Sequence, residues 1–104
     1  MTIQFNTDNN IKVSDDLKAS LEPVIIEGLK RFGSHITRIE VHLTDENGPK
    51  EGKDDIRCLL EARMEGHQPV AVTNHADSKQ VALKGAIEKM KSSLTTILGK
   101  ALSH

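Results

Sequence analysis

Polar and apolar residues alternate in four segments of the chain, and a period of two predicts β-strands with one dry and one wet face. Between the last two segments, Glu65-Gly66-His67 predicts a tight turn, so these two strands are expected to form a hairpin. Pro69, at the opening of the fourth strand, has no N–H group to donate, which is compatible with a sheet edge but not with the interior of a central strand. The predicted strands comprise residues 3–6, a segment beginning at Ile39, residues 56–64 and residues 70–73.

Two further segments repeat apolar residues every three or four positions, which is the period of an α-helix. The first helix is predicted to run from about Asp15 to Phe32. Ser14 is a suitable N-cap for it, and Gly33 is the expected stop. This helix would connect the first strand to the second.

The second helix is predicted to follow Asp77 and Ser78, either of which can cap it. Gly85 is expected on its polar side, and Gly99 is expected to mark the point where it frays. Its apolar face is predicted to consist of Leu83, Ile87, Met90, Leu94, Ile97, Leu98 and Ala101.

The predicted element order is therefore β-α-β-β-β-α, with a turn at residues 8–10 and a charged, mobile loop at residues 45–55. Each helix has one apolar stripe and the strands share one apolar face. The pattern thus predicts an α+β fold in which two helices pack on one face of a four-stranded sheet, an architecture like that of double-stranded-RNA-binding domains. Residues 1–104 are expected to form a single domain. On the wet face, cross-strand ion pairs are predicted among Arg38, Glu40, Arg57, Glu61 and Arg63.

The composition limits the classes of function. Aromatic residues make up 2% of the chain, and both of them, Phe5 and Phe32, are predicted in the core, so no platform is available for stacking RNA bases. No segment approaches the roughly 18 apolar residues of a membrane span, and the start of the chain does not resemble a leader peptide. We therefore expect a cytoplasmic protein with no membrane partner.

Motifs for catalysis or metal binding are not apparent. The five histidines lack the spacings that place two ligands on one helix face or strand face, so no metal site is expected. Cys58 is a single cysteine predicted to point into the core. The carboxylate pairs Asp15/Asp16 and Asp54/Asp55 are explained by helix capping and solvation. We expect no enzymatic activity, no cofactor and no small-molecule substrate.

Charge is distributed unevenly along the chain. The formal net charge is −1, yet residues 78–104 contain five lysines and one glutamate, while the rest of the chain has a net charge of −5. On the last helix, Lys84 and Lys91 are predicted on one side of the apolar stripe, and Lys89 and Lys100 on the other. Such a helix could contact the phosphates and riboses of structured RNA. A second, smaller group of basic residues consists of Lys18, Lys30 and Arg31.

Three segments resemble a known family. Residues 7–18 (TDNNIKVSDDLK) combine a turn with an apolar-x-apolar-Ser helix entry, residues 29–32 (LKRF) combine Leu, basic residues and an aromatic, and residues 82–90 (ALKGAIEKM) contain an acidic-Lys-apolar triplet. These features resemble the ribosome hibernation promoting factor and ribosome-associated inhibitor A group, also called the sigma-54 modulation family. The resemblance extends over nearly the whole chain.

The resemblance implies a monomeric factor that binds the small ribosomal subunit, through 16S-type rRNA near the decoding centre. It further implies that the factor modulates or inhibits translation under stress or in stationary phase. Basic residues on both helices would contact the rRNA. We include Lys79, at the start of the second helix, beside the residues that match or adjoin the family's basic positions. The candidate rRNA-binding residues are Lys18, Lys30, Arg31, Lys79, Lys84, Lys89 and Lys91.

The chain also departs from the family pattern. Ser78-Lys79-Gln80 stands where the family usually has Asp-x-Tyr, and Gly28 occupies a position that is often lysine. Residues 95–102 replace a dense run of lysines and arginines. Together with the acidic residues 1–77, these departures leave an alternative open, in which the protein is a protein-interaction module of the same fold that has lost ribosome binding.

Overall fold

The computed structural model describes residues 1–7, 14–45 and 56–102, with side chains as far as Gly99. The predicted turn at residues 8–10, the loop at residues 46–55 and the side chains of Lys100 and Ala101 lie outside the described residues. The elements are β1 (Thr2–Thr7), α1 (Asp15–Gly28), a 3₁₀ turn (Lys30–Phe32), β2 (Ile36–Asp45), β3 (Ile56–Met64), β4 (Val70–Ala76) and α2 (Lys79–Leu102). The predicted order of helices and strands is confirmed.

The four strands form one sheet in the order β1-β2-β3-β4. β1 runs parallel to β2, and the other neighbours are antiparallel. Parallel neighbours need a crossover connection, and α1 provides it. In the hairpin between β3 and β4, Gly66 adopts a φ of +79°, which glycine tolerates without strain. β4 is an edge strand, a position with which Pro69 is compatible.

One face of the sheet is apolar and is covered by both helices. The β2 residues Ile39 and Val41 are fully buried there, as are Cys58 and Leu60 on β3. α1 contributes Leu21 and Ile25 to the same core, and α2 adds a stripe of buried side chains. This arrangement confirms the α+β fold. The buried residues of the α2 stripe are Ala82, Leu83, Ala86, Ile87, Met90, Leu94 and Leu98.

The predicted boundary of the first helix is wrong. The α-helix ends at Gly28, because Leu29 leaves helical geometry with φ −109° and ψ 12°. The 3₁₀ turn that follows keeps Phe32 buried, so the apolar spacing continues past the end of the α-helix. β2 also begins earlier than predicted, at Ile36, which is buried and paired with Met64.

α2 differs from its predicted pattern in two respects. It continues through Leu102, past the predicted fraying point at Gly99. Its buried stripe extends further toward β4 than predicted and includes the fully buried Ala82. Ile97, predicted in the core, is 46% exposed, although it lies on the same side of the helix as the buried Met90. Gly85 was expected on the polar side, but it faces Asn74 of β4.

Candidate nucleic-acid interface

Lys84 and Lys91 form a row on one side of α2, called here the α2 lysine row. They flank Ile87 by one helical turn in each direction, and seven residues of helix separate them by about 10 Å. Ile87 packs against the end of α1, since its Cγ2 atom lies 2.6 Å from the place of a Cβ on Gly28. The Nζ atom of Lys91 lies 3.4 Å from Oε1 of Glu88, but this carboxylate is 72% exposed. Such an exposed pair is weak and leaves the ammonium available to other anions.

Lys30 and Arg31 follow the end of α1 directly. They lie two and three residues past Gly28, which limits their Cα atoms to about 11 Å from it. Both side chains are exposed, and the Arg31 guanidinium lies 5.8 Å from the ring centroid of the buried Phe32. This cation–π contact favours one position of the guanidinium. Because Gly28 meets Ile87, both pairs of basic residues lie within a few residues of the same helix–helix contact, and Lys30, Arg31, Lys84 and Lys91 are called here the inter-helix basic group.

The other three candidate residues lie apart from this group. Lys18 is half-buried and stands ten residues before Gly28, which is about 15 Å along α1. Lys79 is the first residue of α2. Lys89 projects from the opposite side of α2, as its spacing predicted.

Lys89 makes a contact that the sequence did not indicate. Its Nζ atom donates a hydrogen bond to the backbone carbonyl oxygen of Thr73, over 2.7 Å. Thr73 belongs to the edge strand β4, so the ammonium covers a main-chain acceptor that would otherwise face outward. Lys89 therefore has a structural role that is independent of RNA.

Lys79 occupies an electrostatically unfavourable position. The N-terminus of α2 is capped by Ser78, whose Oγ accepts from the N–H of Val81 over 3.2 Å. A cation in the first turn is repelled by the positive end of the helix dipole. Helix stability therefore does not account for a lysine at this position.

α1 is an acidic helix. Asp15 and Asp16 occupy its first turn, where the helix dipole favours them, and Ser14 Oγ accepts from the Leu17 N–H over 3.1 Å. Its carboxylates outnumber its single lysine and give the helix a net charge of −3, opposite in sign to α2. The ionisable residues of α1 are Asp15, Asp16, Lys18, Glu22 and Glu27.

The outer face of the sheet carries the predicted ion pairs in part. The register places Glu40 opposite Glu61, and Arg38 opposite Arg63. Like charges directly opposite each other would repel, but Arg63 Nε lies 3.1 Å from Glu40 Oε2 on the diagonal and 2.9 Å from Glu61 Oε1. The hydrogen bond with Glu61, the charge of Glu61 and that of Glu40 raise the pKa of Arg63. Arg38 pairs with Glu40 at 3.6 Å and also donates to Gln4. This end of the outer face is internally neutralised.

Within residues 1–7, 14–45 and 56–99, no group of three or more histidine, cysteine or carboxylate side chains could hold a metal ion. The same part of the chain contains no pocket for a small molecule. Cys58 is fully buried, and burial raises the pKa of its thiol to about 12. The thiolate needed for nucleophilic chemistry is therefore scarce at neutral pH.

Sequence reasoning missed the contact between Asn74 and Gly85. Asn74 lies beyond the predicted end of the fourth strand at residue 73, and it continues the inward row of Val70 and Val72. Its Nδ2 donates to the carbonyl oxygen of Ala82, over 3.2 Å. An amide in an apolar row and a glycine inside a helix were the available signals, but neither alone indicates its partner.

Known proteins share this fold. The N-terminal domain of Protein Y from Thermus thermophilus superposes with a TM-score of 0.71 at 18% identity, over 93% of this chain and 99% of that one. A ribosomal subunit interface protein from Coxiella burnetii also gives a TM-score of 0.71, at 14% identity over 95% of this chain and 99% of that one. No curated protein is detectably similar in sequence.

Neither of the two described helices is long and apolar enough to cross a membrane. The family model described as sigma-54 modulation protein / S30EA ribosomal protein matches residues 3–101. The match includes every helix and strand of the described residues, except the first residue of β1 and the last of α2. The chain therefore belongs to the sigma-54 modulation protein / S30EA ribosomal protein family.

Proposed function

We propose that this protein binds the small ribosomal subunit, at rRNA near the decoding centre, and thereby modulates or inhibits translation under stress or in stationary phase. It acts in the cytoplasm as a monomeric single domain, by steric occupation rather than by catalysis, and needs no cofactor. The observation that carries the proposal is membership of the S30EA ribosomal protein family over residues 3–101. One of the proteins that share its fold is a ribosomal subunit interface protein.

The charge on α2 supports an RNA partner. Lysines outnumber acidic residues on this helix by five to one, and the inter-helix basic group adds Lys30 and Arg31 beside it. Lysine and arginine recognise RNA largely through phosphate and ribose, with a strong dependence on salt. Because the chain has few aromatic side chains, base stacking contributes little. We assign the phosphate contacts first to Lys30, Arg31, Lys84 and Lys91, and secondarily to Lys18, Lys79 and Lys89.

The decisive experiment is co-sedimentation with purified small ribosomal subunits across a salt series. The logarithm of the affinity should fall linearly with the logarithm of salt concentration. Lys84→Glu should weaken binding and reduce the salt slope by about 1, which corresponds to one lost phosphate contact. Arg57→Glu on the outer face of the sheet is the matched control, since it changes the net charge equally, and it should bind nearly as well as the wild type. Absence of binding at any salt, with the protein folded, would refute the proposal.

Inhibition is tested separately from binding. The protein should reduce the yield of a cell-free translation reaction at concentrations that saturate small subunits, and Lys84→Glu should need a proportionally higher concentration. Protein that binds subunits without reducing the yield would retain the ribosomal partner and overturn the inhibitory role.

A second candidate function is a protein-interaction module that does not bind ribosomes. The acidic α1, with its net charge of −3, favours it, because negative charge on one helix opposes approach to rRNA. The co-sedimentation series separates the two candidates, since this one predicts no binding even at low salt.

A further inference from the structure

Asn74 is a polar residue in an apolar row. Along the inward face of β4 it follows Val70 and Val72 and precedes the buried Ala76. Placing an amide in such surroundings costs stability unless the amide is hydrogen-bonded. Its partner is supplied by α2, where the carbonyl oxygen of Ala82 accepts from Asn74 Nδ2.

Gly85 leaves the space that the Asn74 amide fills. A Cβ atom on Gly85 would stand 2.6 Å from Cγ of Asn74 and 3.0 Å from its Oδ1, and closer still to Nδ2. Carbon atoms pack at about 3.5–4.0 Å, so a side chain at position 85 would force the Asn74 amide out of its present position and away from the Ala82 carbonyl. The two residues are complementary in shape.

The same side of α2 makes a further contact with β4. Ala82, Gly85 and Lys89 are spaced by three and four residues and therefore share a helix face. Lys89 hydrogen-bonds to the Thr73 carbonyl one turn after Gly85. Consecutive residues of β4, Thr73 and Asn74, thus hold two turns of α2.

We infer that Asn74 and Gly85 are positioning residues, which fix the rotation of α2 on the sheet edge and thereby aim the α2 lysine row at its target. The part that concerns binding rests on the function proposed above. Lys84 precedes Gly85 directly, so any rotation of the helix at this point moves the lysine with it. A rotation of about 20° displaces groups at the helix surface by about 2 Å. A phosphate contact is lost by such a shift even though the lysine is still present.

The test is Gly85→Ala in the full chain, with Gly99→Ala as the matched control. Gly99 lies on the same helix, and no described residue elsewhere in the fold comes within 4 Å of its Cβ position, so the control makes the same chemical change without the clash. Two quantities are measured: affinity for small ribosomal subunits, and residual dipolar couplings, which report the orientation of α2 relative to the sheet. We expect Gly85→Ala to bind at least fivefold more weakly and to change the α2 couplings. Gly99→Ala should match the wild type in both.

A double variant distinguishes positioning from a general loss of structure. In Asn74→Ala/Gly85→Ala the amide is removed, and the new Cβ fits the vacated space. This variant should recover the wild-type couplings and bind within twofold of the wild type, whereas Asn74→Ala alone, which leaves that space empty, should bind more weakly. If Gly85→Ala is unfolded, a folded double variant still supports the complementary contact between residues 74 and 85. Two unfolded variants overturn it.

Two results would overturn the inference in folded proteins. One is a Gly85→Ala variant with wild-type couplings and affinity, and the other is a binding loss that the double variant does not recover. If the wild type itself does not bind small subunits, the proposed function fails and the couplings alone decide. If Gly85→Ala changes the orientation of α2 and the double variant restores it, the complementary contact between residues 74 and 85 is supported. An unchanged orientation in Gly85→Ala refutes it.

Discussion

The Cγ2 atom of Ile87 lies 2.6 Å from the place where a Cβ atom on Gly28 would stand, so α1 approaches α2 closely only because residue 28 has no side chain. Ile87 is buried, and as a β-branched residue it has few alternative rotamers. A longer side chain at position 28, such as the lysine that the family resemblance suggests, would meet Ile87 at this contact.

We therefore predict that Gly28→Ala destabilises the protein by about 1–3 kcal/mol, which is the usual cost of overpacking a rigid site. Gly99→Ala should instead stabilise it by up to about 1 kcal/mol, because alanine is the better helix former and nothing crowds the new methyl group. Urea denaturation of both variants measures the two effects. Equal stability of the two variants would show that Ile87 moves away from the new methyl group without lowering the free energy of unfolding.

The fold was predictable from the sequence because its signals are local and agree with one another. Alternation identified β2 and β3, and the cap at Ser14 marked the start of α1. The end of α1 was not predictable, since Leu29 and Phe32 stay buried on both sides of the break and the apolar pattern does not record it. Which α2 residues are covered depends on the strands beneath each turn of the helix, which are distant in the chain, so periodicity alone misassigned Ile97 and Gly85.

The hydrogen bond from Lys89 to Thr73 predicts a difference between two lysines of the same helix. Lys89→Met should lower the free energy of unfolding by about 0.5–1.5 kcal/mol, because it removes this hydrogen bond at the sheet edge. Lys84→Met should change it by less than about 0.5 kcal/mol, as expected for an exposed lysine that makes no hydrogen bond or ion pair within the described part of the chain. Urea denaturation measures both changes.

In the salt series with small subunits, the order of the two variants should be reversed. Lys84→Met should lose more affinity than Lys89→Met, since the Lys89 ammonium is already held at the strand edge. Equal losses of stability in the two variants would contradict the structural role of Lys89. A larger binding loss for Lys89→Met would show that Lys84 is not one of the main phosphate contacts.

The candidate site was only partly predictable from the sequence. Helical spacing correctly separated Lys84 and Lys91 from Lys89. The proximity of Lys30 and Arg31 to Ile87 depends on how α1 packs on α2, which requires the contact at Gly28. Counting charged residues gave the sign of the net charge of each helix. It could not show which lysines and arginines make structural contacts.

The acidic α1 predicts that removing a carboxylate strengthens binding to rRNA. Glu27 is exposed and precedes Gly28 directly, near the inter-helix basic group. Glu27→Gln should raise the affinity for small subunits by about twofold at low salt, the effect of one unit charge at about 10 Å in water. The gain should vanish above about 0.5 M salt, where charges are screened within a few ångströms.

Glu65→Gln in the β3–β4 turn is the control for this prediction, since it makes the same charge change on an exposed residue of a different element. Its affinity should stay within the error of the wild type. A gain of the same size in both variants would mean that net charge, rather than the position of α1 at the interface, controls binding.

The buried thiol of Cys58 predicts a dependence of stability on alkaline pH. Burial raises the pKa of this group from 9.0 to about 12, so the folded protein keeps the proton through a range in which the unfolded chain releases it. The stability contribution is therefore complete below pH 9 and decreases as the pH rises from 9 toward 12. The free energy of unfolding should fall by about 1.4 kcal/mol for each pH unit in this range.

Cys58→Ala isolates this contribution, because lysines titrate in the same range in both proteins. Plotted against pH, the difference in unfolding free energy between wild type and variant should be constant below pH 8 and should shrink above pH 9. A thiol reagent should react with the native protein only as fast as it unfolds, since the side chain is fully buried. Rapid labelling at pH 8, or a difference that stays constant to pH 10.5, would mean that the thiol ionises in the folded state and that β3 opens locally around it.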